Sequence, residues 1–123
     1  MIIHVAQFSS KLPGRKLSIA NSMPKGVRMQ TVKELFPTLA TIITPGWGLV
    51  AAYKEHRISW AVYARIYGES LQKLNLEQAM RKLCDLAGSD ELVLCCWEGA
   101  DVEECHRKLL FDALPLSMQG VRE

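Results

Sequence analysis

Leu92-Val93-Leu94-Cys95-Cys96-Trp97 is an unbroken apolar run set between Asp90-Glu91 and Glu98-Gly99. A strand with one face in water alternates apolar and polar residues. A run without alternation is expected of a strand buried on both faces, as inside a parallel sheet. The run is therefore read as the central strand. Downstream, Asp101 and Glu104 stand three apart ahead of Leu109, Leu110, Ala113 and Leu114, so a helix is predicted to start near Asp101 and end by Pro115.

Upstream of the run the helical signals are the clearest. Ser59 is placed to cap a helix to about Lys73, on which Val62, Tyr63, Ile66, Tyr67 and Leu71 recur at three and four residues. Asn75 with Gln78 has the outline of a capping box, and Leu76, Ala79, Met80, Leu83 and Leu86 keep helical spacing until Gly88. Thr44-Pro45 reads as an N-cap followed by proline at the first helical position, opening a helix to about Glu55 that Gly46 and Gly48 weaken. Leu39 to Ile43 is too short to type by periodicity and is assigned a strand, after a brief helical turn within Gln30 to Phe36.

Ile2 to Phe8 and Lys16 to Ala20 read as strands, each followed by a loop rich in Pro, Gly, Ser or Asn. The strand-loop-helix alternation predicts an α/β fold: a single compact Rossmann-like layered domain over residues 1–123, with a small, mostly parallel sheet flanked by helices.

The 123 residues, 49% hydrophobic and 23% charged, exclude a disordered chain and a two-domain enzyme. No stretch approaches the roughly 20 apolar residues of a membrane span, and the N-terminus lacks a signal-peptide pattern, so the expectation is a cytoplasmic protein with no membrane partner. The four cysteines are expected to be reduced, with Cys84 filling the core.

Charge is segregated. Residues 1–68 carry nine Lys or Arg against two acids, residues 69–123 six against eleven, and the first 33 residues have six bases and no acid. Such a basic half suits phosphate, nucleotide or nucleic acid, although two halves that neutralise each other would read the same way.

The densest reactive cluster is Cys95-Cys96-Trp97-Glu98 followed by Cys105-His106-Arg107. In open α/β sheets ligands sit beyond the carboxyl ends of strands, which is where Cys96 falls. Neighbours on a strand face opposite ways, so Cys95 and Cys96 should not share a site. A thiol near a helix N-terminus and a basic side chain is activated as thiolate, whereas the acids at 101, 103 and 104 act in the opposite sense; the sign stays open. Sequence neighbours on a helix diverge by about 100°, so Cys105 and His106 need not meet. The eight-residue gap between Cys96 and Cys105 lacks a zinc knuckle, and no metal or other cofactor is predicted. Phosphate loops, dinucleotide fingerprints and Cys-x-x-Cys pairs are absent. Tyr63 and Tyr67 share a helix face and either pack or present hydroxyls, while Trp47, Trp60 and Trp97 stand apart in sequence and form no stacking platform.

Ser18-Ile19-Ala20 with Pro24-Lys25, the Tyr63-x-x-x-Tyr67 helix, the Leu92–Glu98 strand and Cys105-His106-Arg107 occur in an order that resembles the domain-of-unknown-function 488 family, which includes small bacterial and phage-borne members. The resemblance spans about residues 2–114. It implies a Rossmann-like α/β domain with a site made by Cys96, Glu98, Cys105, His106 and Arg107, and it implies no particular reaction. The chain departs from the pattern in Gly99-Ala100-Asp101-Val102, in the glutamates before Cys105, and in Trp97 where tyrosine is frequent.

Two functions are expected from these residues. The first is an enzyme-like site for a small anionic, nucleotide- or nucleic-acid-related ligand, with Cys96 or Cys105 as nucleophile, Glu98 or His106 moving protons, Arg107, Lys16 and Lys25 holding negative charge, and Asn21, Tyr63 and Tyr67 lining the pocket. The alternative is a non-catalytic nucleic-acid or protein interaction module, or an accessory protein of phage or mobile DNA.

Overall fold

The computed structural model describes all 123 residues. Its centre is a four-stranded sheet in the order β2-β3-β1-β4, formed by β1 (Ile2–Gln7), β2 (Arg15–Ser18), β3 (Glu91–Cys96) and β4 (Gln119–Arg122). All three pairings are parallel, so the sheet is wholly rather than mostly parallel. The unbroken apolar run is an interior strand, and all five residues from Leu92 to Cys96 are buried. Trp97 lies just beyond it and is exposed.

Alternation on the strands divides the sheet into two unlike faces. Ile3, Val5, Leu17, Leu92, Leu94 and Cys96 join a core of 25 buried residues to which α1 (Val32–Leu35), α2 (Pro37–Ile43), α4 (Trp60–Gln72), α5 (Leu76–Ala87) and α6 (His106–Ala113) all contribute. Leu49 and Tyr53 of α3 (Trp47–Lys54) pack against the same core. The opposite face holds a cluster of three, Ala6, Val93 and Cys95, covered by Phe8, Leu12 and Met29 from loops. The cause is the connection from β1 to β2. Parallel strands require the chain to return the length of the sheet. Here the Phe8–Gly14 loop makes that return in place of a helix, laying Phe8 and Leu12 on the sheet. It ends at Gly14, which has a φ of 118° and where a Cβ would fall 2.9 Å from Glu91 atoms, so a side chain there would be strained and crowded.

The helices at 60–72 and 76–87 form as their spacing predicts, capped by Ser59 and Asn75 side chains accepting from the Val62 and Gln78 N–H groups. Gly88 ends α5 in the left-handed region, with the Ser89 N–H bonded back to the Cys84 carbonyl.

Three local expectations are corrected. Leu39 to Ile43 is helical rather than a strand: Pro37 occupies the first turn of α2, and Leu39, Ala40 and Ile43 bury one helical face. Thr44 ends α2 rather than capping α3, whose N-cap is Gly46. The last helix starts at His106 rather than near Asp101, because Arg107 and Lys108 side chains bind the Gly99 and Ala100 carbonyls and draw the preceding segment into a loop. The C-terminal segment, which the sequence left untyped, forms a 3₁₀ turn at Leu116–Met118 and then β4.

Candidate functional site

The carboxyl ends of three strands meet, with Gln7 beside Cys96 and Ser18 beside Cys95. Cys96 closes β3 on the helical face, and Cys105 is the N-cap of α6. As an N-cap, Cys105 has extended backbone (φ −141°, ψ 139°) and its side chain caps no backbone N–H. Its sulfur turns inward instead. That geometry is why Cys105 and His106 share a site despite the helical divergence expected of neighbours.

The two sulfurs lie 3.1 Å apart. Arg107 Nη1 donates to both, at 3.1 Å to Cys96 and 3.2 Å to Cys105, and a Glu98 carboxylate oxygen lies 3.4 and 3.3 Å from the two sulfurs. Arg107 is completely buried, and its other donors are fixed on the Gly99 carbonyl at 2.8 Å and the Glu123 carbonyl at 2.6 Å. A buried guanidinium needs acceptors on every donor and a compensating charge. The carbonyls supply the first, and a thiolate supplies the second. His106 Nε2 is 3.2 Å from the Ile19 carbonyl, which can only accept, so this nitrogen carries the proton. The ring stands edge-on to Tyr67, whose hydroxyl donates to the Ile43 carbonyl at 2.6 Å.

These contacts separate the thiols. Cys105 is lowered to about 5: the Cys96 thiol donating to it is the largest cause, burial opposes, and the His106 side chain and charge with the Arg107 backbone N–H add to the fall. Cys96 is pushed up, first by its hydrogen bond to Cys105, then by burial and by the charge of Cys105. The pair thus shares one ionisation, with the thiolate favoured at Cys105 and the proton at Cys96. Burial pushes Glu98 up, but its own backbone N–H, both thiols and His106 outweigh it and hold the carboxyl below its usual value. Cys95, on the other face, is raised to about 11 by burial, only partly offset by Lys16 and Arg107.

A pocket of about 220 Å³ opens on the pair, with Cys96, Glu98, Cys105 and His106 among its lining residues. Trp47, Tyr53, Trp60, Tyr63 and Trp97 also line it. The tryptophans expected to stand apart therefore converge: β3 supplies one at its end, and α3 and α4 supply the others. Trp60 stacks on Tyr63 at 4.8 Å, and Tyr53 tilts against both rings. Burial, then the charges of Cys105 and Glu98, raises Tyr63 and keeps its phenol protonated. The Trp97 indole N–H donates to the Ser22 carbonyl at 2.8 Å, and the Tyr53 hydroxyl donates to Glu104. Asn21 lines the pocket and donates to the Pro45 carbonyl at 2.9 Å.

The structure brings together Cys96, Glu98, Cys105, His106, Arg107, Asn21 and Tyr63. Tyr67 is buried behind Tyr63 in the core and does not line the pocket. Lys16 and Lys25 are not brought to it either. Lys16 follows the strand alternation to the loop-covered face and donates to the Ser10 carbonyl, and Lys25 is exposed on its loop. Lys54 lines the pocket together with Glu98 and Glu104. Sequence reading missed Tyr53, Trp60, Lys54 and Glu104, although the Tyr53, Trp60, Tyr63 and Tyr67 series carried the signal across the α3–α4 turn.

Donor atoms of Cys96, Cys105 and His106 lie within 4.8 Å of one another, close enough to share a metal ion. The Arg107 guanidinium directed at both sulfurs argues against that use, since a cation between them would face a fixed buried positive charge.

No curated protein and no solved structure matches the chain. Residues 1–117 match DUF488-N3a, described as the active DUF488-N3 subclade. With that match covering nearly the whole chain, and with the cysteine pair at the carboxyl edge of a parallel sheet, the protein belongs to the DUF488 family.

Proposed function

We propose that the protein is a thiol-dependent enzyme whose nucleophile is Cys105 and whose substrate is a small nucleotide-related molecule presenting one planar ring. The observation that carries this reading is the buried Arg107 guanidinium set on two adjacent sulfurs at the base of an aromatic pocket. Guanidinium, imidazole and a neighbouring thiol donor are the groups that make a thiolate available at neutral pH. Membership of a subclade described as active fits the same reading.

Each side chain has a role that follows from its protonation. Cys105 offers an electron pair, Glu98 accepts a proton as an ionised carboxylate, and the Cys96 and Tyr63 hydrogens are available to a leaving group or oxyanion. The pocket is smaller than the roughly 300 Å³ or more that encloses a drug-sized ligand. It suits one ring against Trp97 or Trp47, with an attached anionic group near Lys54. Protection of Cys105 from iodoacetamide by adenosine, uridine and their monophosphates tests this. Protection that disappears in Trp97→Ala is expected; reactivity unchanged by all four compounds at millimolar concentration would contradict it.

A second reading rests on a separate observation. Lys11, Arg15, Lys16, Lys25, Arg28 and Lys33 form no ion pair, so the basic half is not neutralised by the acidic one. A nucleic acid held by these side chains would bind with steep salt dependence, and Cys105→Ser would not change its affinity.

A further inference from the structure

From the 3.1 Å approach of their sulfurs on the helical face, we infer that Cys96 and Cys105 form a reversible disulfide under peroxide, with Cys96 as the resolving thiol, so that oxidation switches the site off. The inference rests on the reading of Cys105 as the nucleophile and extends it to a second partner, hydrogen peroxide.

A disulfide needs its sulfurs about 2.05 Å apart, so the pair has about 1 Å to close. Cys96 ends a strand and Cys105 precedes a helix, which places both at element ends where side-chain rotation leaves the sheet hydrogen bonds in place. The cysteines also hold opposite protonation states, one attacking and one in reserve, as stepwise oxidation requires.

The chemistry balances in two steps. The Cys105 thiolate displaces hydroxide from hydrogen peroxide, forming a sulfenic acid as that hydroxide takes a proton to become water. The Cys96 sulfur, giving its proton to the departing hydroxyl, then attacks the Cys105 sulfur and releases a second water. Two electrons pass from the two sulfurs to one peroxide. A small-molecule dithiol returns them by thiol–disulfide exchange.

The surroundings make the oxidised form reducible. Arg107 Nη1 loses its anionic acceptor on oxidation while its other donors stay on Gly99 and Glu123. The Cys96 thiol proton, within reach of both Cys105 and Glu98, is lost as well. The disulfide gives up contacts that the dithiol holds, and the equilibrium moves toward the reduced pair. Cys95 and Cys84 stay outside the exchange: Cys95 is buried on the other face of the sheet, and Cys84 is buried in α5.

The test treats the reduced protein with one equivalent of hydrogen peroxide and reads intact mass and cysteine-linked peptides. The expected result is a loss of about 2 Da, a Cys96–Cys105 peptide cross-link and full recovery with dithiothreitol. In Cys96→Ser, Cys105 has no resolving partner, so one equivalent should instead add about 16 Da as sulfenic acid. A wild-type protein that gains that mass at Cys105 with Cys96 still free, or that links any other pair, overturns the inference. Iodoacetamide labelling of the untreated protein separates the two claims. Cys105 reactive at neutral pH without a cross-link removes the switch and keeps the nucleophile, whereas a cross-link without that reactivity keeps the pair and removes the nucleophile.

Discussion

Cys95 and Cys96 are adjacent in sequence and opposite in fate. Cys95 lies with Ala6 and Val93 under Phe8, Leu12 and Met29, in a small apolar cluster that raises its thiol to about 11. Cys96 lies on the helical face beside Cys105, Glu98 and Arg107, at the base of a pocket. Both thiols are fully buried, so burial alone does not distinguish them. The difference is what the sheet faces: a loop that only fills space, against the N-terminus of a helix that brings an imidazole and a guanidinium. One strand sends Cys95 into the loop-covered cluster and Cys96 toward Cys105 because its side chains alternate.

The comparison breaks most completely at Arg107. Replacing it by Met leaves the Gly99 and Glu123 carbonyls without their donor and the thiolate without its counter-charge, and should destabilise the fold by about 3 kcal/mol or more, read by denaturant melting. The accompanying loss of Cys105 reactivity at neutral pH would mark the guanidinium as part of the site rather than of the core alone.

A smaller effect is expected at Glu98. A carboxylate within hydrogen-bond distance of a sulfur disfavours thiolate. Glu98→Gln should therefore move the Cys105 titration below its value of about 5, so that reactivity survives to lower pH. An upward movement would show that the carboxylate activates the thiol by taking its proton.

The smallest effects belong to residues behind the site or across the sheet. Tyr67→Phe removes the bond to the Ile43 carbonyl and should lower stability by about 1 kcal/mol while leaving cysteine labelling unchanged. Cys95→Ala trims a small buried side chain, with a loss of about 1 kcal/mol and no change in the reactivity of Cys105. A fall in Cys105 reactivity in the latter variant would mean that the two faces communicate.

Three of the four strands and the long helices were legible because their signals are local: the unbroken run of β3, the Ser59 and Asn75 caps, and the stripe on each helix. The short elements were not. Leu39–Ile43 is five residues, too few to separate periods of 2 and 3.6, and only the packing of Leu39, Ala40 and Ile43 decides it. The capping-box outline at Asp101 and Glu104 misled because the governing contacts run from Arg107 and Lys108 side chains to carbonyls, which no local pattern encodes. At the site, the proximity of Cys96, Glu98 and Cys-His-Arg was visible from strand and helix order. The aromatic wall was not, since it joins residues 47 to 97 through tertiary packing. Lys16 illustrates the reverse error: its charge suited the expected ligand, but strand alternation sends it to the other face.

The most direct measurement is the pH dependence of iodoacetamide labelling at each cysteine, read peptide by peptide. Cys105 is predicted to lose reactivity only as pH falls through about 5, while Cys95 stays unlabelled until pH approaches about 11. Cys105 and Cys95 labelling in parallel, both only under alkaline or unfolding conditions, would contradict the claim that one face of the sheet carries an activated thiol.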